Sequence, residues 1–174
     1  MSKPTATIGA AVLIAALASV YLVAGSMANR VDPSAPRDGV ISVRSAYAFT
    51  ETVDRLKKDV AAKGIMMFFT MFFTMFFTVD QAKLAADAGI KLRPSTLLVF
   101  GNPALGAQFI TSNPQAGLDW PVRLLVQEDE KGQVWATYTD FAWIAQRHHI
   151  TDRDAAFKMA SNVIASITSS VAAK

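Results

Sequence analysis

Between Lys3 and Arg30 the chain carries no charged side chain. The stretch from Thr5 to Ala28 reads TATIGAAVLIAALASVYLVAGSMA. About 20 apolar residues let a helix cross the hydrocarbon of a bilayer, and a helix pairs its backbone amides internally. Residues 1–28 are therefore expected to form a transmembrane signal-anchor helix. Lys3 and the α-amino group favour a cytoplasmic N-terminus, against the opposing pull of Arg30 and Arg37. The expected setting is a bacterial inner membrane, crossed once, with the C-terminal domain in the periplasm. A cleaved signal peptide is the alternative, with Ser26-Met27-Ala28 as a small-x-small site. The apolar run is longer than the roughly 7–15 residues of a signal core, which favours an anchor. Ala11, Ala15 and Ser19 recur every four residues, a small-residue face on which a second helix can pack.

A chain of 174 residues suits one domain plus such an appendage. It is 52% hydrophobic and 18% charged, with a mean hydropathy of +0.28. Soluble domains are nearer a quarter charged, so some apolar residues are expected outside an ordinary core. There is no cysteine, which excludes disulfides, thiolate metal sites and a cysteine nucleophile. A net charge of +3 makes no case for nucleic acid as a partner.

Residues 29–39 (NRVDPSAPRDG) are polar and proline-bearing, and read as a linker. Residues 40–174 read as one α+β domain. Ile41 to Ala48 alternate as a half-buried strand would. A helix follows, capped by Thr50, striped by Val53, Leu56 and Val60, and stopped at Lys63-Gly64. Residues 81–88 suggest a short helix ended by Gly89. Ser95 to Phe100 is strand-like, and Asn102-Pro103 opens another helix. Val122–Gln127 and Gln133–Tyr138 form a hairpin around Glu128 to Gly132. Thr151 or Asp152 begins a last helix, buried along Ala156, Ala160, Val163, Ile167 and Val171. The expected architecture is a small two-layer α/β sandwich with a mainly antiparallel sheet.

Met67-Phe68-Phe69-Thr70 is repeated twice more, through Thr78, leaving Ile65 to Val79 without charge. A single copy would leave a strand of ordinary length, about 5–6 residues. Three origins compete: a slip without a role, a contact surface for a partner or bilayer, or one long internal strand. On the contact reading Phe68, Phe69, Phe72, Phe73, Phe76 and Phe77 touch membrane or partner, since exposed Phe and Met patches mark such contacts.

Phosphate-binding, nucleophile-elbow and zinc-protease motifs are missing. His148-His149 is the sole histidine cluster, with Asp140, Asp152 and Asp154 nearby. Adjacent helical residues diverge too far to chelate one ion readily, so capping or solvated roles are favoured and no metal is expected. Glu128-Asp129-Glu130 offers paired carboxylates for acid–base work, but sits where a solvated hairpin tip is expected. Phe100-Gly101-Asn102-Pro103 either begins a helix or presents amides to an anion. Asp119 and Arg123, near one strand start, would pair with each other, fix a turn, or join Asn102 in a polar pocket. Trp120, Trp135, Tyr138, Phe141 and Trp143 read as core and interface.

FGNP, Gly106, Pro114, LDWPVR, Glu128-Asp129, Gly132 and Tyr138 together resemble the domain of unknown function 302 family, across roughly residues 41–145 and including the TVDRLKKDVAAKGI helix. The resemblance implies a compact α+β domain, with self-association, and no assigned reaction. That family often has Asp-His where this chain has Asp80-Gln81, and Gly-Thr where it has Gly106-Ala107. A family-wide catalytic site is correspondingly less expected in this member.

The sequence thus leads to a membrane-anchored, non-enzymatic accessory subunit, its domain docked on a larger membrane complex, with lipid and other subunits as partners and no cofactor. The alternatives are a tethered module binding a small ligand or lipid through Asn102, Asp119 and Arg123, or an enzyme.

Overall fold

The computed structural model describes residues 38–66 and 74–173. The expected anchor, its Ala11, Ala15 and Ser19 face, and Phe68, Phe69, Phe72 and Phe73 lie outside the described residues. Among the described residues, no helix is long and apolar enough to cross a membrane.

Five strands form one antiparallel sheet: β1 (Val40–Arg44), β2 (Thr74–Asp80), β3 (Ser95–Gly101), β4 (Val122–Glu128) and β5 (Val134–Thr139). Their spatial order is β1-β5-β4-β3-β2. Among the described residues five helices accompany them: α1 (Phe49–Met66), α2 (Gln81–Asp87), α3 (Pro103–Ser112), α4 (Phe141–Arg147) and α5 (Asp154–Ser169). A 3-10 turn spans Pro114–Leu118. The two-layer α+β arrangement is the one expected.

Period-two patterning decides which sheet face is buried. On β4, Val122, Leu124 and Val126 are buried, while Arg123 and Gln127 are exposed. Leu98 and Phe100 of β3, and Ala136 and Tyr138 of β5, continue the buried face. Leu56 and Val60 of α1, with Ile164 and Ile167 of α5, complete this core. Phe109 of α3 stacks on Phe157 of α5, with ring centroids 4.2 Å apart and planes 25° apart.

Several boundaries differ from expectation, each for a local reason. The first strand ends at Arg44, because Ser45 Oγ accepts the Tyr47 N–H and turns the chain. Thr52, not Thr50, secures the start of α1: its hydroxyl lies 2.7 Å from that of Ser45 and donates to Ala48 O. Lys63-Gly64 does not stop α1, which continues to Met66; glycine within a helix costs only about 1 kcal/mol. The final helix starts at Asp154, later than expected, and buried Val171 lies beyond its end. There the chain pairs back: Ala46 N donates to Val171 O, and Ala173 N to Arg44 O.

The repeat resolves partly. β2 holds its last copy in a strand of seven residues, not in one internal strand reaching back to Ile65. Phe76 lies within β2, and the pairing with β3 shifts register between Met75 and Phe77. β2 is an edge strand, and Phe77 is 54% exposed.

Candidate functional site

The FGNP and LDWP segments form one packed unit. Asn102 is 1% exposed and caps α3, its Oδ1 accepting the Leu105 N–H at 2.9 Å. Pro103 takes the first turn, where no N–H is needed. A Cβ at Gly101 or at Gly106 would overlap the Trp120 indole. The two glycines thus make the slot that receives this ring, a close approach only glycine allows. Phe109 meets Trp120 edge-on at 6.3 Å. The apolar space lined by Phe100, Leu105, Trp120 and Phe141 holds about 10 Å³, at the lower limit for one water.

Asp119 follows the 3-10 turn, with a side chain 6% exposed. Its two oxygens are crowded with donors. Arg123 Nη2 reaches Oδ1 at 3.2 Å, and Arg147 Nη1 reaches Oδ1 at 3.2 Å and Oδ2 at 3.1 Å. His148 Nε2, its side chain 4% exposed, lies 2.6 Å from Oδ2. Arg123 also donates to Leu118 O at 2.6 Å, and Asn113 Nδ2 donates to His148 O at 2.8 Å. The carboxylate therefore ties the entry of β4 to the C-terminal end of α4.

The structure pairs Asp119 with Arg123, as expected, and gives Asn102 a separate task as a helix cap. Arg147 and His148 are the additional members, 28 and 29 residues away in sequence. The histidine cluster is visible in the sequence, but nothing there points to Asp119. An aspartate holding a histidine also supplies two of the three members of a nucleophilic triad. Among the described residues, however, no hydroxyl is hydrogen-bonded to the His148 ring.

Three of the other acidic candidates, Asp129, Asp140 and Asp152, have structural partners. Asp140 caps α4 through the Ala142 N–H, and Asp152 accepts from Ser112 Oγ and Arg153 Nη1. Among the described residues, no cluster of three His, Asp or Glu side chains is placed to hold a metal ion. At the hairpin tip, Asp129 Oδ2 accepts the Trp135 indole N–H at 2.9 Å, and Oδ1 accepts the Lys131 and Gln133 amides.

The Trp135 bond, then the Gln133 amide, hold the Asp129 carboxyl below the ordinary value of 3.8. Its contribution to stability is present above that ordinary value and is lost as pH falls through the lowered one. Asp129→Ala should therefore destabilise the hairpin at neutral pH, and the gap from wild type should narrow steadily below about pH 4. Urea midpoints at neutral and acid pH measure this; a gap independent of pH would contradict the hydrogen-bonded role.

Residues 41–167 match the family described as Domain of unknown function DUF302, which takes the resemblance through α5. Fluoride-specific ion channel FluC 2 of Brucella melitensis biotype 1 is 33% identical over 163 residues, covering 84% of this chain and 57% of that protein. Fluoride-specific ion channel FluC 1 of Brucella suis biovar 1 is also 33% identical over 163 residues, covering 84% of this chain and 61% of that protein. The chain thus spans about three fifths of the length of these curated relatives. A crystal structure of an uncharacterized conserved DUF302 protein from Bacillus stearothermophilus shares the fold, with a TM-score of 0.65 at 15% identity over 76% of this chain and 98% of that one. With the FGNP and LDWP segments packed as one unit inside the matched span, this chain belongs to the DUF302 family.

Proposed function

We propose that this chain is a membrane-anchored, non-enzymatic accessory subunit whose periplasmic domain docks on a larger membrane protein complex. One observation carries the reading: a stretch similar to most of this chain occurs within proteins named as fluoride-specific ion channels. The matched stretch covers about three fifths of those proteins, and the uncharged segment from Thr5 to Ala28 gives this chain its own route to a bilayer. A membrane ion channel is therefore the kind of complex proposed as partner.

The site chemistry supports a scaffold. Asn102 is spent on a helix cap, Asp119 on three side chains, and Asp129 on three N–H groups. A small-ligand module built on Asn102, Asp119 and Arg123 has less support, because these residues already satisfy one another or the backbone.

Alkaline carbonate washing of membranes from the native cell tests the anchor. The chain should remain in the pellet with integral proteins. Complete release into the supernatant would remove the anchor and with it this reading.

A further inference from the structure

An exposed apolar ridge follows the edge strand. α2 has no buried residue. Leu84 on it is 59% exposed, Ile90 just after it 61%, and Leu92 49%. Hydrophobic side chains scattered singly over a surface need no explanation, but these three lie within nine residues, and backbone geometry brings Ile90 to the turn that carries Leu84. Gly89, at φ 75°, ends α2 in the left-handed conformation. The Ile90 N–H donates to Ala85 O at 2.8 Å and the Gly89 N–H to Ala86 O at 2.9 Å. This pair of bonds is the Schellman closure, which brings the residue after the glycine alongside the last helical turn. Ile90 is thus fixed beside the turn carrying Leu84, yet both face solvent.

Cations alternate with these aliphatics along the chain: Lys83-Leu84, then Ile90-Lys91-Leu92-Arg93. Lys83 pairs with Asp87, and Arg93 with Glu130 at 3.4 Å, all between exposed side chains. Such surface pairs are weak, so both cations can turn to another anion. A cleft of about 650 Å³ opens beside Leu92, lined by Lys91, Arg93, Ser95, Gln127 and Glu128.

We propose that Leu84, Ile90 and Leu92, with Lys83, Lys91 and Arg93, dock on an anionic lipid surface. The inference rests on the anchored reading for bringing this ridge to a bilayer. A lipid surface fits better than a protein groove, because lysine is depleted from the buried centres of protein interfaces, whereas interfacial segments combine leucine with lysine and arginine.

The chain has no cysteine, so single labels are clean. Full-length chains bearing Leu84→Cys, Ile90→Cys or Asn162→Cys, each with an environment-sensitive fluorophore, are mixed with vesicles of phosphatidylcholine and phosphatidylglycerol containing spin-labelled lipid. Asn162 is an exposed position on α5 and serves as the reference. Lipid quenching is expected at positions 84 and 90 and not at 162. Lys91→Glu should weaken that quenching about fivefold or more, as expected for loss of a cation at an anionic surface. Quenching at 84 and 90 that persists on pure phosphatidylcholine and ignores Lys91→Glu would overturn the anionic preference. Vesicle flotation of the same samples separates this inference from the anchor. Chains that float with no quenching at 84 or 90 overturn the docking ridge and leave the anchor standing. Chains that do not float and are not quenched overturn both.

Discussion

Asp119→Ala is expected to destabilise the domain by about 2–3 kcal/mol, the effect of leaving a buried polar group without its hydrogen-bond partner. The Asp119 side chain is 6% exposed and that of His148 4%, whereas Arg147 and Arg123 are 45% and 51% exposed. The arginines can turn to water when the carboxylate is lost; the imidazole cannot. Most of the loss therefore falls on the His148 contact and on the junction between β4 and the end of α4. Asp119→Asn keeps the shape and one acceptor oxygen, and should lose less, about 1–2 kcal/mol. Urea unfolding of the two variants beside wild type measures both. An Asp119→Ala midpoint matching wild type would show that the carboxylate behaves as an ordinary surface ion pair.

Gly106→Ala is expected to destabilise by about 2 kcal/mol or more, although helix propensity alone argues for a gain of about 1 kcal/mol. The new methyl would overlap the Trp120 ring. The ring has little room to withdraw, because Gly101 also lies close against it and Phe109 packs against it edge-on. Overpacking of this kind typically costs about 1–3 kcal/mol, and more where neighbours cannot yield. The sign should reverse in a Trp120→Ala background, where the overlap is gone and only the helix preference remains. Thermal midpoints of the two single variants and the double variant test this. Additive losses would mean that the glycine acts through something other than the indole.

What can be read from the sequence is local. The Ser95–Phe100 strand, the Asn102 cap, the hairpin around Asp129 and the Asp119–Arg123 pair all have signatures within a few residues, and each is found in place. Seven-residue α4 is not legible, because Phe141 and Ile144 alone do not establish a helical period. Nor is the joining of Asp119 to His148, or of Trp120 to Gly101 and Gly106. Those contacts are made by chain packing over long separations, and no spacing rule marks them. The stop at Lys63-Gly64 fails for the opposite reason: a local signal is present, but helix continuation outweighs it. Phe77 illustrates a third case. Its place in an edge strand follows from the sheet order, which the repeat itself does not reveal.

The glycine slot, the saturated Asp119 and the capped α3 describe a rigid module with its polar groups already occupied. On the proposed reading, such a module would serve as a fixed surface held at a membrane, beside a larger complex. Sizing after gentle solubilisation of native membranes tests this most directly. The account predicts that the chain migrates within a particle much larger than its own 18.7 kDa, together with a second membrane protein. Migration as a single chain in its detergent shell, with nothing attached, would contradict it.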